Sequence, residues 1–187
     1  MKKTFFLIIS ILIAEGFLAA QGDNFPAPDK SPMDISYYPS NYPSLKIQGK
    51  INEPPVARVI YSRPVKNGRN IFGGLLEYGK VWRMGANEAT ELELFKNVRI
   101  AGKKLLKGRY SLYAIINETT WTIIISKDIY TWGLKYDPDK DLMRVEVPVQ
   151  RIDSIIESLS MMFEKTATGC NLVVAWDNVR IALPLNF

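Results

Sequence analysis

The sequence predicts an all-β protein folded as a single domain, an antiparallel β-sandwich of jelly-roll-like form or a partly closed barrel. Three observations predict it. From residue 45 onward, short apolar segments rich in Val, Ile, Tyr and Trp recur between Gly, Asn, Asp and Pro punctuation. In "TELELF", 90–95, leucines alternate with glutamates, which gives a strand one buried and one wet face and is the mark of an antiparallel sheet. The chain has one cysteine, Cys170, so no intramolecular disulfide supports it, and 187 residues are enough to bury a core that does.

The elements follow in chain order. Residues 1–20 combine Lys2 and Lys3, an apolar run, and the small residues Ala19 and Ala20, the composition of an export signal peptide. Glu15 and Gly16 interrupt the run well short of the roughly 20 apolar residues of a spanning helix. No cysteine follows it to take a lipid. The expectation is an exported, periplasmic or extracellular protein that is not a lipoprotein and has no membrane span. Residues 21–44, with Pro26, Pro28, Pro32, Pro39 and Pro43 and three tyrosines, read as a linker or arm. The β-sandwich domain is then expected over 45–187. Its strands are expected in "LKIQGKI", "VARVIYS", "TELELF", "VRIAG", "GRYSLYAII", "WTIIIS", "LMRVEVPV", "SLSMMF", "NLVVAW" and "VRIALPL". In "RIDSIIESLSMMFEK", Ile152, Ile155, Ile156 and Leu159 have helical spacing while Leu159, Met161 and Phe163 alternate; the reading is a strand from about Glu157 preceded by a turn. Asp177 and Asn178 tolerate positive φ, so a tight hairpin is expected between the last two strands.

Composition excludes several chemistries. The chain has no histidine, which removes hydrolases that use a histidine base, histidine-ligated zinc and histidine acid–base catalysis. Carboxylates, lysines, tyrosines and arginines remain. Loss of residues 1–20 takes away two lysines and one glutamate, lowering the net charge from +5 to +4. This excess is scattered between apolar strands, so no nucleic-acid partner is expected. Cys170 opens the apolar strand "CNLVVAW" and reads as a buried thiol.

The chemistry-bearing residues gather in 61–90, "YSRPVKNGRNIFGGLLEYGKVWRMGANEAT". Gly73, Gly74 and Gly79 supply turns; Gly79-Lys80 is followed by Val81 where a phosphate loop needs Ser or Thr. Arg63, Arg69 and Arg83 stand at strand ends or in turns, where a planar guanidinium either clamps protein carbonyls and carboxylates or recognises a ligand carboxylate or sulfate. An Arg83–Glu88 ion pair with Asn87 capping a turn would make the passage pure scaffold. Tyr78, Trp82 and Trp132 are either core side chains or a sugar-stacking platform. Asn87-Glu88 matches the dipeptide at the acid/base carboxylate of many glycosidases, a chemistry that needs a second carboxylate at a defined separation. Asp137, Asp139 and Asp141 alternate as in a calcium loop, yet the glycine and terminal glutamate of such a loop are missing, and a solvated acidic turn is the reading. No metal and no cofactor is expected.

Taken together, "YSRP", "GRNIFGGL", "YGKVWRMGANEAT" and "LLKGRYSLYAI" resemble the signature of a family of exported bacterial proteins, domain of unknown function 2911, over roughly residues 45–185. The resemblance implies a shared β-rich fold and export, mainly in Bacteroidetes-like bacteria, and no particular reaction. Two functions are therefore carried forward. The first is a non-catalytic binding module for a saccharide or cell-envelope component, with Arg63, Arg69, Tyr78, Trp82, Arg83, Asn87, Glu88 and Trp132 as candidate ligand contacts. The second is a carboxylate-dependent hydrolase acting on carbohydrate, with Glu88 as acid/base.

Overall fold

The computed structural model describes residues 25–187; the expected export signal lies outside them. Eleven strands follow in order: β1 Met33–Tyr38, β2 Ala57–Ser62, β3 Val81–Trp82, β4 Thr90–Leu94, β5 Val98–Ile100, β6 Lys103–Leu105, β7 Gly108–Ile115, β8 Thr120–Ser126, β9 Asp141–Pro148, β10 Gln150–Lys165 and β11 Gly169–Asn186. All strand pairs are antiparallel. One sheet runs β1-β2-β4-β7-β8-β9, with β3 also paired to β7, and the other runs β10-β11-β5-β6. The sheets do not close into a barrel, and the fold is the expected all-β sandwich.

Alternation decides which face each strand buries. In β4, Thr90, Leu92 and Leu94 point inward, and in β9 Met143, Val145 and Val147 do the same. They meet Leu159, Met161, Phe163, Leu172, Val174 and Trp176 of the second sheet in one continuous core. On the wet face of β4, Glu93 stands opposite Arg58 and Arg109 in the ladder and pairs with both, at 2.5 and 3.3 Å. Strands β7 and β8 are buried on both faces because the segment after β8 folds back over them. It packs Tyr136 against Tyr113, Ile124 and Ala89, and closes through Lys127 N–H to the Lys140 carbonyl at 3.0 Å. Cys170 is wholly buried, and desolvation pushes its thiol up to about 12.

The structure departs from the sequence reading at four places. "LKIQGKI" is not a strand: Tyr42–Ile47 forms one short helix, α1, with Pro43 in its first turn, where a fixed φ and a missing N–H cost nothing. None of its residues is buried, so the alternation of Leu45 and Ile47 marks no sheet face. Asp177 and Asn178 do not make a hairpin; β11 runs straight through them. Asp177 does take positive φ, at 54°, but spends it on an irregularity inside the strand. Strand β10 likewise begins at Gln150 rather than near Glu157. Between the pairs Arg151↔Val179 and Ile156↔Asp177 it advances five residues against two in β11, and this shift imposes the helix-like spacing of its isoleucines. Finally, part of the proline-rich arm is a strand: β1 pairs along its length with β2, at the sheet edge where proline is tolerated. Its Tyr38 packs edge-on against Phe163 and Phe187.

Candidate functional site

The loop that follows β2 and the short strand β3 together build a cleft. Ile71 and Phe72 anchor the loop in the core, Phe72 lying 5.4 Å from the Trp121 ring and 6.4 Å from that of Trp176. The chain then doubles back so tightly that Leu75 N–H meets the Asn70 carbonyl at 2.9 Å. A Cβ on Gly74 would lie 2.5 Å from that oxygen, so only glycine fits there. The turn delivers Leu75 and Leu76 to the cleft wall.

Trp82 forms the floor. Pairing of β3 with Ala114 and Ile115 of β7 sets its backbone. Its ring stacks on Trp176 at 6.1 Å, meets Trp121 edge-on at 5.9 Å, and donates its indole N–H to the Gly85 carbonyl at 3.1 Å. Trp82 is thus mainly a core side chain with one edge in the cleft, not an open stacking platform.

Residues 83–90 form a self-closed loop. Met84 and Asn87 both take left-handed φ of 58°, uncommon for residues other than glycine. Thr90 satisfies the two carbonyls that the turn leaves over, its N–H reaching Arg83 O at 3.1 Å and its hydroxyl Met84 O at 2.9 Å. Arg83 spends one donor on the loop, Nε to the Asn87 carbonyl at 2.7 Å. The expected Arg83–Glu88 ion pair does not form. Arg83 makes no salt bridge among the described residues, and burial lowers its pKa from the usual arginine value without an acid to offset it. It remains a cation, since guanidinium does not deprotonate in proteins. Gly133 holds its stem in place: at φ 78°, its Cα faces Arg83 so closely that a Cβ would come within 2.9 Å of Arg83 Cβ and 3.0 Å of Ala89 Cβ.

Two adjoining cavities flank this side chain. One, of about 260 Å³, is lined by Leu75, Leu76, Glu77, Lys80, Val81, Trp82, Arg83, Gly133 and Leu134. The other, of about 300 Å³, is lined by Ser31, Pro64, Arg69, Gly85, Ala86 and Trp176 and shares Leu75, Leu76, Trp82 and Arg83 with the first. Arg69 is oriented by its own turn, donating Nε to the Lys66 carbonyl at 3.0 Å and a terminal N–H to the Val65 carbonyl. Like Arg83, it has no carboxylate partner among the described residues. Its neighbours differ: Lys66 is neutralised by Asp177 at 2.6 Å, and Arg63 by Asp34 at 3.1 Å.

The residues singled out in the sequence therefore separate. Arg69, Trp82 and Arg83 come together in the cleft. Arg63 is a clamp between the sheets, bonded to Asp34 of β1 and to Leu159 O and Ser160 Oγ of β10 at 3.2 and 2.9 Å. Tyr78 packs on the core beside Gly73. Asn87 serves through its carbonyl. Glu88 and Trp132 are exposed and line neither cavity, although Gly133 and Leu134 beside Trp132 do. Glu77 is the one carboxylate on the two cavity walls. Among the described residues no group of three or more Cys, Asp or Glu is arranged to hold a metal ion. Asp137 caps a one-turn 3-10 helix at Pro138–Lys140, and Asp141 pairs with Arg144 and Tyr136. Trp176 and Leu134 escaped the sequence reading as cleft residues because they come from remote segments, and Lys80, although inside 61–90, because a lone lysine there has no signal beyond composition.

Fold and cleft define a class: an antiparallel β-sandwich with two arginines on one cavity wall that have no carboxylate partner among the described residues. The chain belongs to the family described as Protein of unknown function (DUF2911), whose model matches residues 43–185. No curated protein and no solved structure matches it. No helix among the described residues is long and apolar enough to cross a membrane.

Proposed function

We propose that the protein is an exported binding module whose cleft takes an anionic ligand, a carboxylate- or sulfate-bearing saccharide of the cell envelope. The observation that carries this reading is Arg83: a guanidinium drawn out of water, buttressed by Gly133 and Asn87, lining both cavities and left without an acid. Partly desolvating a charge costs free energy that a structural role would offset with a carboxylate partner. A bound anion supplies that partner, through the bidentate geometry that guanidinium offers. Export is supported by the composition of residues 1–20. The cleft favours binding over the carboxylate-dependent hydrolase, because Glu88 lies outside it and Glu77 stands without a second acid on its walls.

Calorimetric titration with galacturonate and with neutral galactose tests the reading. Saturable binding of galacturonate alone, lost in Arg83→Met, is expected. Equal binding of the two sugars, or galacturonate binding unchanged in Arg83→Met, would overturn it.

A further inference from the structure

The 300 Å³ cavity holds a second unpaired cation, and Arg83 alone does not account for it. Arg69 and Arg83 line the same cavity, and no carboxylate lines it with them. Arg69 is exposed and Arg83 half-buried, so water and salt screen part of their repulsion, and a counter-charge inside the cavity relieves the rest. The protein had acids at hand nearby, yet it spends Asp177 on Lys66 and Asp34 on Arg63. Both guanidiniums are also held from behind. Arg69 is fixed by the Lys66 and Val65 carbonyls and Arg83 by the Asn87 carbonyl, so their remaining donors are pre-oriented and little rotamer entropy is left to lose on binding. Leu76 and Trp82 line the same cavity, and their apolar side chains suit the body of a ligand and not an acid group. In the adjoining 260 Å³ cavity Glu77 lines the wall with Lys80 and Arg83, so the cavity that holds cations and no carboxylate is the one shared by Arg69 and Arg83.

Resting on the anion-binding reading of the cleft, we infer that its ligand carries two acid groups along one extended body, one held by Arg83 and the other by Arg69: a diacidic disaccharide unit. The competing arrangement is one acid group chelated by both arginines, and it predicts a different response to substitution.

The test compares galacturonate with digalacturonate on the wild type, Arg69→Met and Arg83→Met by calorimetry, with circular dichroism melts confirming that each variant is folded. Digalacturonate is expected to bind the wild type at least tenfold more tightly than galacturonate. Arg69→Met is expected to cancel that gain while leaving galacturonate affinity within about twofold, and Arg83→Met to weaken both. Equal affinity for the two sugars overturns the two-acid ligand and leaves the anion cleft standing. So does an Arg69→Met variant that loses galacturonate and digalacturonate in equal measure, which identifies single-anion chelation. Galacturonate binding that ignores Arg83→Met removes the cleft itself, and the two-acid ligand with it.

Discussion

Arg63 and Arg83 belong to the same sequence passage, and the structure predicts opposite outcomes when each is replaced by methionine. Arg63 makes three side-chain bonds, to the Leu159 carbonyl, the Ser160 hydroxyl and the Asp34 carboxylate, and joins β1, β2 and β10. Its ion pair with Asp34 is more than a third exposed on both sides and contributes little. The two bonds to β10 count for more, since Leu159 is fully buried and bonds from a charged donor contribute about 1.5 kcal/mol or more each. Arg63→Met should therefore cost about 3 kcal/mol. At roughly 2–4 °C per kcal/mol for a domain of this size, that lowers the melting temperature by about 6–12 °C. Arg83→Met loses one bond, to the Asn87 carbonyl, worth about 1.5 kcal/mol on the same scale. Against this, it relieves the desolvation of a cation that has no acid partner, and it adds apolar surface beside Leu76 and Trp82. The net change should be within about 1 kcal/mol, a shift of about 4 °C or less. Differential scanning calorimetry of the two variants beside the wild type reads both numbers. If Arg83→Met loses as much as Arg63→Met, the 83–90 loop is scaffold and the reasoning fails.

Three further outcomes follow from the same geometry. Gly133→Ala should lower stability by about 2–4 kcal/mol in urea denaturation, because the new Cβ must adopt φ 78° and meets Arg83 Cβ at 2.9 Å; a change below about 1 kcal/mol would contradict the buttress. Among the described residues, Tyr113 Oη is buried and meets no partner at full hydrogen-bond geometry, Thr131 being the polar side chain beside it, so Tyr113→Phe should melt unchanged or higher, since deleting an unsatisfied hydroxyl removes a desolvation cost; a clear loss would show that the hydroxyl bonds Thr131. Burial, with the Asp141 carboxylate beside it, raises the Tyr136 phenol from 10.0 to about 12. A group whose folded pKa exceeds its unfolded value binds more protons when folded, so its stabilisation is complete below pH 10 and is lost as pH rises toward about 12. Urea midpoints of wild type should fall across that window, and those of Tyr136→Phe should fall less.

Much of the sandwich was legible because strands buried on one face must alternate. "TELELF" and "LMRVEVPV" carry that alternation openly, and they form β4 and β9 as read. The irregular strands were opaque for the same reason. Where β10 slips its register against β11, the face that each residue presents resets, and Ile152, Ile155 and Ile156 mimic a helix. Asp177 shows that tolerance of positive φ is readable from residue type, whereas its use in a turn or inside a strand depends on what the neighbouring strand does. At the cleft, the sequence supplied Arg69, Trp82 and Arg83 because arginine and tryptophan beside glycine are conspicuous. It did not separate Arg63 from them, since the partners that make Arg63 a clamp, Leu159 and Ser160, are remote in the chain. Glu88 stood out only by adjacency to Asn87, and adjacency in a tight turn points consecutive side chains apart.

The most direct test of the central claim is to record the side-chain Nε–H resonances of the arginines by NMR while galacturonate is added. A saturable shift of Arg83 Nε–H is expected, accompanied by the Trp82 indole N–H and with Arg63 Nε–H unmoved. Saturation that moves other arginines and leaves Arg83 unchanged would contradict it.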